Sequence, residues 1–289
     1  MTRVDSIAAP QRILLATDLG HRCDRAVDRA LNCARAWNAR VLVAVMQAQA
    51  FASDAARAER ERRLGAMLRD EVQADDVSLR IRLEQGEPAD LAAAIAADEG
   101  SELIVTGIAR SSPVSDILLG RTVDRVLRKA AVPVLVVRRR GRIDYRRIVV
   151  GSDLSEASRI ALHTALAWFP QTPLLLFHAY RPPMATRAGS SAQARADMQA
   201  AALAACQAFV DDSDLQADAR ARISIEAEYG EPELRLADCG HRFGADLLVL
   251  GSGGRGALFD VLIGSTARRV LDDVDTDVLV VRWPADDPP

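Results

Sequence analysis

The sequence predicts two doubly wound α/β domains in tandem. Each is expected to hold a five-stranded parallel sheet of order 3-2-1-4-5 with helices on both faces. Three observations carry that expectation. Short apolar runs alternate with stretches at helical spacing, as in a parallel sheet with helical crossovers. The pattern occurs twice: "QGEP" at 85–88 returns as "YGEP" at 229–232, and "ELIVTG" ending at Gly107 returns as "DLLVLG" ending at Gly251. "ILLG" ending at Gly120 and "VLVVR" ending at Arg138 return as "VLIG" ending at Gly264 and "VLVVR" ending at Arg282. All four pairs stand 144 residues apart, a period too long for a solenoid and suited to whole domains.

The second copy shows the elements in order. "RIVVGS" (147–152) is a short apolar strand, and "SEASRIALHTALAWF" (155–169) follows at helical spacing, with Ser155 and Glu156 suited to a first turn. "PLLLFHAY" (173–180) is a strand and the alanine-rich 194–212 a helix. "ARISIEAEYG" (221–230) alternates as a strand does. "EPELRLADCGHRFG" (231–244) is a helix with Pro232 early and Gly244 as its stop. "ADLLVLG" (245–251), "STARRVLDDV" (265–274) and "TDVLVVRW" (276–283) complete the unit as strand, helix and strand. The first strands, "RILLATDL" (12–19) and "RIVVGSDL" (147–154), stand only 135 apart, so the second copy carries about nine extra residues. These are assigned to the Pro, Gly and Ser-bearing segment 180–196, which reads as a lid, a partner surface or a plain insertion.

The domains are expected at 1–141 and 142–289, divided within "RRRGRIDYRR" (138–147). A solvated linker is the ordinary reading of that run, with a basic nucleic-acid patch as its rival. The 289 residues carry a net charge of −3 and only 4% aromatics, which argues against a nucleic-acid partner. No apolar leader and no apolar run of membrane-spanning length occurs, so a soluble cytoplasmic protein with no membrane partner is expected. Cys23, Cys33, Cys206 and Cys239 form no CxxC pair and read as core thiols, and no metal site is expected.

The stretch "VLGSGGRGALFDVLIGST" (249–266) contains the dinucleotide fingerprint G-x-G-x-x-G at Gly251, Gly253 and Gly256. That fingerprint belongs on the first β-α turn, with an acid ending the next strand. Here it follows the fourth strand, and Asp272, Asp273 and Asp275 precede the last one. The Walker A pattern fails too, because no Gly-Lys-Ser/Thr follows. A different spacing fits: Gly251-x2-Gly254-x9-Gly264-Ser265-Thr266. Gly251 ends a strand and permits a sharp turn, and Gly254 admits a close ligand. Gly264, Ser265 and Thr266 open a helix, whose free N–H groups suit an anion. A capped helix after a glycine turn is the plain reading of the same corner. With order 3-2-1-4-5, the strand-one end "GSD" (151–153) faces this loop across the crevice where strand order reverses. Asp153 then either accepts from a ribose or base edge, or caps the following helix.

On these residues the chain resembles the universal stress protein family in its tandem two-domain form. G-x2-G-x9-G-[ST] is matched by Gly251, Gly254, Gly264 and Ser265, and "VVGSDLSEAS", "LLLFHAY" and "TDVLVVR" resemble the family's strands. Asp277 stands where the family commonly has proline, which Pro133 keeps in the first copy. The resemblance implies ATP binding without strong catalysis. Carried onto this chain it implies Gly151, Ser152 and Asp153 at the nucleoside and Ala179 offering its backbone to adenine. It further implies Gly251, Gly254, Gly264, Ser265 and Thr266 around the phosphates, with Ser252 and Arg255 at variable places in the loop. The cofactor implied is ATP, with or without Mg²⁺. The family also pairs its last strands between domains, leaving a homodimer or protein partners open.

The first copy keeps Asp18, Gly107 and Gly120 but has Arg110 and Arg121 in place of the second glycine and the serine. An ordinary residue at a left-handed position costs roughly 1–2 kcal/mol, and a large one fills phosphate space. ATP is therefore expected in the C-terminal copy alone, unless the two arginines hold an anion themselves. The function expected is an ATP-binding stress-response protein that senses or signals, with no catalytic residues. Micromolar binding requires about 8 kcal/mol. The alternatives are a protein-interaction scaffold without nucleotide and a weak ATPase or phosphotransferase. His178 is the one candidate base, and a structural role is its plainer reading.

Overall fold

The computed structural model describes residues 7–18, 24–47, 52–72, 76–108, 121–139, 144–181, 192–252 and 265–282. The chain forms two compact units. One contains residues 8–144 together with Asp277–Val280, and the other contains residues 1–7, 145–276 and 281–289. The expected boundary at 141 and 142 lies outside the described residues. The basic run around it is anchored at both ends. Asp277 Oδ1 accepts from the N–H groups of Arg138 (2.7 Å) and Arg139 (2.9 Å). Asp246 Oδ2 accepts from those of Arg146 (3.0 Å) and Arg147 (3.1 Å).

In the first unit β1 (Arg12–Thr17), α1 (Asp24–Trp37), β2 (Arg40–Gln47), α2 (Asp54–Val72) and β3 (Leu79–Gln85) come first. They are followed by α3 (Pro88–Asp98), β4 (Leu103–Gly107), α4 (Arg121–Lys129) and β5 (Val134–Val137). The strands are parallel in the order β3-β2-β1-β4-β5, the order expected from sequence. The central strands are buried along nearly their whole length, because helices cover both faces. The outer strand β3 instead alternates buried and exposed positions.

In the second unit β6 (Ile148–Gly151), α5 (Glu156–Trp168), β7 (Leu174–Tyr180) and α6 (Ala192–Asp211) lead. Then follow α7 (Ala217–Ala221), β8 (Ile223–Tyr229), α8 (Pro232–Phe243), β9 (Leu247–Ser252) and α9 (Ser265–Asp273). Parallel pairing gives β8-β7-β6-β9, the same first four places. The repeated "GEP" turn is one device used twice. Gly86 (φ +150°) and Gly230 (φ +147°) take backbone that other residues rarely adopt, and Pro88 and Pro232 start the next helix. Helix α8 ends at Gly244 in the left-handed region (φ +62°), the stop read from sequence.

One expectation is corrected. The extra length of the second copy is not confined to 180–196. The connection from α6 to β8 spans 212–222, against 73–78 in the first unit, and it holds the unforeseen helix α7. Five residues form too short a stretch to carry a readable apolar period.

The last strand, β10 (Asp277–Arg282), is divided. Val278, Leu279 and Val280 pair antiparallel with Val136, Leu135 and Val134 of β5 within the first unit, so the last strands of the two repeats pair with each other and cover the apolar edge of β5. Asp277 explains the departure from proline. Its side chain is fully buried, and Oδ2 lies 3.1 Å from Nε of the equally buried Arg29 on α1. A proline there supplies neither that charge nor the acceptor for Arg138 and Arg139. The thiols of Cys33, Cys206 and Cys239 are free and buried, and burial pushes Cys33 and Cys239 up to about 12 and Cys206 to about 11. Cys23 lies outside the described residues.

Asp277→Ala removes the carboxylate and leaves the Arg29 guanidinium in the core. Loss of about 3 kcal/mol from the first unit is expected. Hydrogen exchange of the β1 and β4 amides, compared between wild type and variant, measures it.

Candidate functional site

The site begins where β6 ends. Gly151 pairs with Phe177 of β7 on one side and Leu250 of β9 on the other, so β6 is the strand at which chain order reverses. Ligands of open α/β sheets sit beyond the carboxyl ends of such strands. The turn from β6 into α5 is built from its own side chains. Leu154 adopts a left-handed φ of +61°, a conformation that costs a branched residue energy. Ser152 Oγ accepts from the Leu154 N–H at 3.0 Å. Ser155 is the N-cap, and its Oγ accepts from the Ser158 N–H at 3.4 Å.

Asp153 is not itself the cap expected as one of its two roles, since Ser155 is, but its carboxylate braces that cap. Its Oδ1 accepts from the Ser155 N–H (3.0 Å) and from the Ser158 hydroxyl (2.6 Å). Ser158 Oγ in turn accepts from the Asp153 N–H at 3.1 Å. One carboxylate oxygen thus holds the helix start, while Oδ2 has no hydrogen-bond partner among the described residues. Partial burial pushes this carboxyl up, but the Ser155 and Ser158 donors outweigh it and hold it below its ordinary value. Ser158 was missed in the sequence, since nothing marks a helix serine as the partner of a carboxylate one turn earlier.

Ala179 lies in β7, two residues past Phe177, the last β7 residue paired with β6. Leu174 and Tyr180 exchange bonds on the β8 side, with Arg222 and Gly230. By alternation, the N–H and C=O of Ala179 face the β6 side, where β6 has already ended. His178 lies inside β7 rather than at its end, and its Nδ1 donates to the Ser152 carbonyl at 2.8 Å. That bond ties β7 to the turn and gives the imidazole a structural task.

Gly251 is also placed differently from the sequence reading. Strand β9 continues through Ser252, and Gly251 does not supply a sharp turn. A Cβ on Gly251 would stand 2.3 Å from the Ala157 carbonyl oxygen and 2.9 Å from the Ser158 nitrogen. The glycine therefore lets β9 press on the main chain of the first turn of α5. Among the described residues its counterpart Gly107 meets no such backbone, and a Cβ there would stand 3.6 Å from Ala26 Cβ. Ser252 Oγ donates to the Val281 carbonyl at 3.4 Å. Helix α9 starts at Ser265, followed by Thr266. Gly254, Arg255 and Gly264, and the side chains of Ser265 and Thr266, lie outside the described residues.

A further contact, not read from sequence, fixes α9. Arg269 Nη1 donates to Glu233 Oε1 of α8 at 2.6 Å, and Glu233 is buried. Burial pushes the Glu233 carboxyl up, while its own backbone N–H and Arg269 bring it below the ordinary value. Arg125, 144 residues before Arg269, pairs with Glu87 at 3.0 Å in the first unit. That repeated arginine was the available signal. Among the described residues no group of three or more His, Cys, Asp or Glu is arranged to hold a metal.

Two predictions arise from this geometry. Gly251→Ala destabilises the second unit by about 1–3 kcal/mol because backbone must move. Gly107→Ala leaves the first unit within about 0.5 kcal/mol of wild type. Urea titration of both variants compares them. The second concerns pH. A carboxyl with a lowered folded pKa contributes stability that is full above the unfolded value near pH 4 and fades as pH falls through the folded one. Asp153→Asn should therefore flatten the loss of stability below about pH 4, and Ser158→Ala should raise the Asp153 pKa in an NMR titration.

Comparison with known proteins agrees with this architecture. The model of the universal stress protein family matches twice, over residues 10–138 and 144–282. A protein of unknown function from Pseudomonas aeruginosa PAO1 has a similar fold, with TM-score 0.72 and 20% identity over 96% of this chain and 94% of that one. A universal stress protein from Archaeoglobus fulgidus DSM 4304 gives TM-score 0.67 and 18% identity over 94% of this chain and 98% of that one. No curated protein matches the sequence. With both repeats matched by its model, the chain belongs to the universal stress protein family.

Proposed function

We propose that this protein binds ATP in its C-terminal repeat and serves stress signalling as a nucleotide sensor rather than as an enzyme. The observation that carries the reading is the reversal of strand order at β6, with the glycine-loop strand β9 beside it. Three features fit a nucleotide there. Asp153 Oδ2 is available to a ribose hydroxyl. Ala179 presents an N–H and C=O that have no partner among the described residues, of the kind that reads an adenine edge. Helix α9 begins at Ser265, where free N–H groups suit phosphate.

In this reading Gly151 and Ser152 border the nucleoside. Gly254 and Gly264 admit the phosphates, Ser265 and Thr266 receive them, and Ser252 and Arg255 flank the loop. Mg²⁺, where present, is carried by the phosphates. The domains act as 1–141 and 142–289, the first without ATP because Arg110 and Arg121 replace the glycine and the serine of the motif. A cytoplasmic setting and protein partners, including a second copy, accompany this role. No helix among the described residues is long and apolar enough to cross a membrane.

Calorimetric titration with ATP tests the proposal. One ATP per chain is expected, lost in Gly254→Arg and weakened at least about tenfold in Asp153→Ala. Two equivalent sites would overturn the assignment to one repeat, and no binding would leave the scaffold reading. Steady-state turnover abolished by Gly254→Arg would favour the ATPase.

A further inference from the structure

Strand β3 is the outer strand of the first unit. Such a strand carries one row of main-chain groups with no neighbouring strand. The ladder with β2 uses the even-numbered residues, since the Val41 N–H donates to the Ser78 carbonyl at 2.9 Å. The N–H and C=O of residues 79, 81 and 83 therefore turn outward. Helix α2 satisfies both ends of this row. Arg69 Nη2 donates to the Leu79 carbonyl at 3.2 Å, and Glu61 Oε1 accepts from the Leu83 N–H at 2.8 Å. The N–H and C=O of Ile81 lie between them and have no partner among the described residues.

These two groups open on a groove of about 530 Å³ between α2 and β3. Gly65 lines its helix side, where a Cβ would stand in ordinary contact, 3.4 Å from Ile81 Cγ1 and 3.8 Å from the Arg69 guanidinium, and a larger side chain would reach into the groove. Polarity along it is ordered. Arg69 sits at the N–H end of Ile81 and Glu61 at the C=O end. Arg69 pairs with no carboxylate among the described residues, and Glu61 Oε2 has no partner there. Arg62 and Arg80 also line the groove and pair with Glu59 and Glu99.

We propose that this groove binds a free α-amino acid with an acidic side chain, glutamate or aspartate. Facing strand residues exchange two bonds through the N–H and C=O of one residue each. An α-amino acid offers the same pair of groups on one carbon. Its carboxylate accepts from the Ile81 N–H and from Arg69, and its ammonium donates to the Ile81 carbonyl and to Glu61. Arg62 shares Glu59 with Arg63, and Arg80 shares Glu99 with Arg82, so each keeps guanidinium donors for a second negative charge on the ligand. The volume lies in the range of small-molecule sites. The groove shares no residue with the proposed nucleotide site, so the two readings stand or fall separately.

Calorimetric titration of the full chain with L-glutamate, L-aspartate, L-alanine and glutarate tests this. Binding of one of the two acidic amino acids with a millimolar or tighter Kd is expected, with alanine and glutarate at least about tenfold weaker. Arg69→Gln keeps a donor for Leu79 and should raise the Kd about tenfold or more. Glu61→Gln should remove the preference for glutamate over glutarate, and Gly65→Leu should fill the groove and abolish binding. Circular dichroism of each variant confirms folding. Absence of heat with both acidic amino acids at about 10 mM would overturn the proposal. So would affinity unchanged in folded Arg69→Gln and Gly65→Leu, or equal binding of alanine or glutarate.

Discussion

The second repeat depends on one close approach. Strand β9 lies against the first turn of α5 so tightly that no side chain fits at residue 251, where a Cβ would meet the Ala157 carbonyl oxygen at 2.3 Å. Backbone cannot yield as a flexible side chain can, so the contact fixes the origin of the glycine loop against the turn carrying Asp153. Two further constraints act on the same region. Ser158 and Ser155 hold the carboxylate of Asp153 by one oxygen, and Glu233 holds α9 through Arg269. The proposed nucleotide crevice thus lies among parts whose relative placement is set before any ligand arrives, which lowers the ordering cost of binding.

The fold was legible in the sequence because its signals are local and occur twice. Apolar runs, helical spacing, the "GEP" turns and Gly244 each act within a few residues, and the repeat supplied an internal control. The candidate site was legible by type and less so by role. Gly251 was noticed, but its reason lies in Ala157, on another element. Asp153 reads in the sequence as a choice between capping and binding, whereas a carboxylate has two oxygens and, among the described residues, only one is engaged. Ser158, the Arg269–Glu233 pair and α7 escaped because side-chain partners and one-turn helices leave no periodic trace.

The two repeats diverge in more than their loops. Among the described residues a methyl group on Gly107 meets no backbone while one on Gly251 does, so the first repeat keeps its glycine without the backbone contact that demands it in the second. The proline-to-aspartate departure has the opposite character. It adds a buried charge, and that charge has a counter-ion and two main-chain donors waiting for it. A buried ion pair contributes little net stability against an apolar pair of similar shape. Its use is selective, since a strand without an acid at this point takes from Arg29 the carboxylate 3.1 Å away.

That selectivity bears on the order in which the chain matures during synthesis. The first unit includes Asp277–Val280, and translation proceeds from the N-terminus at about 5–20 residues per second. When residue 144 has been made, β5 still lacks its antiparallel neighbour and Arg29 its aspartate. More than 130 further residues must be added before either arrives. The N-terminal repeat therefore emerges before the C-terminal one yet is completed only after nearly all of that repeat has been made, its edge closed by a strand from more than 130 residues downstream.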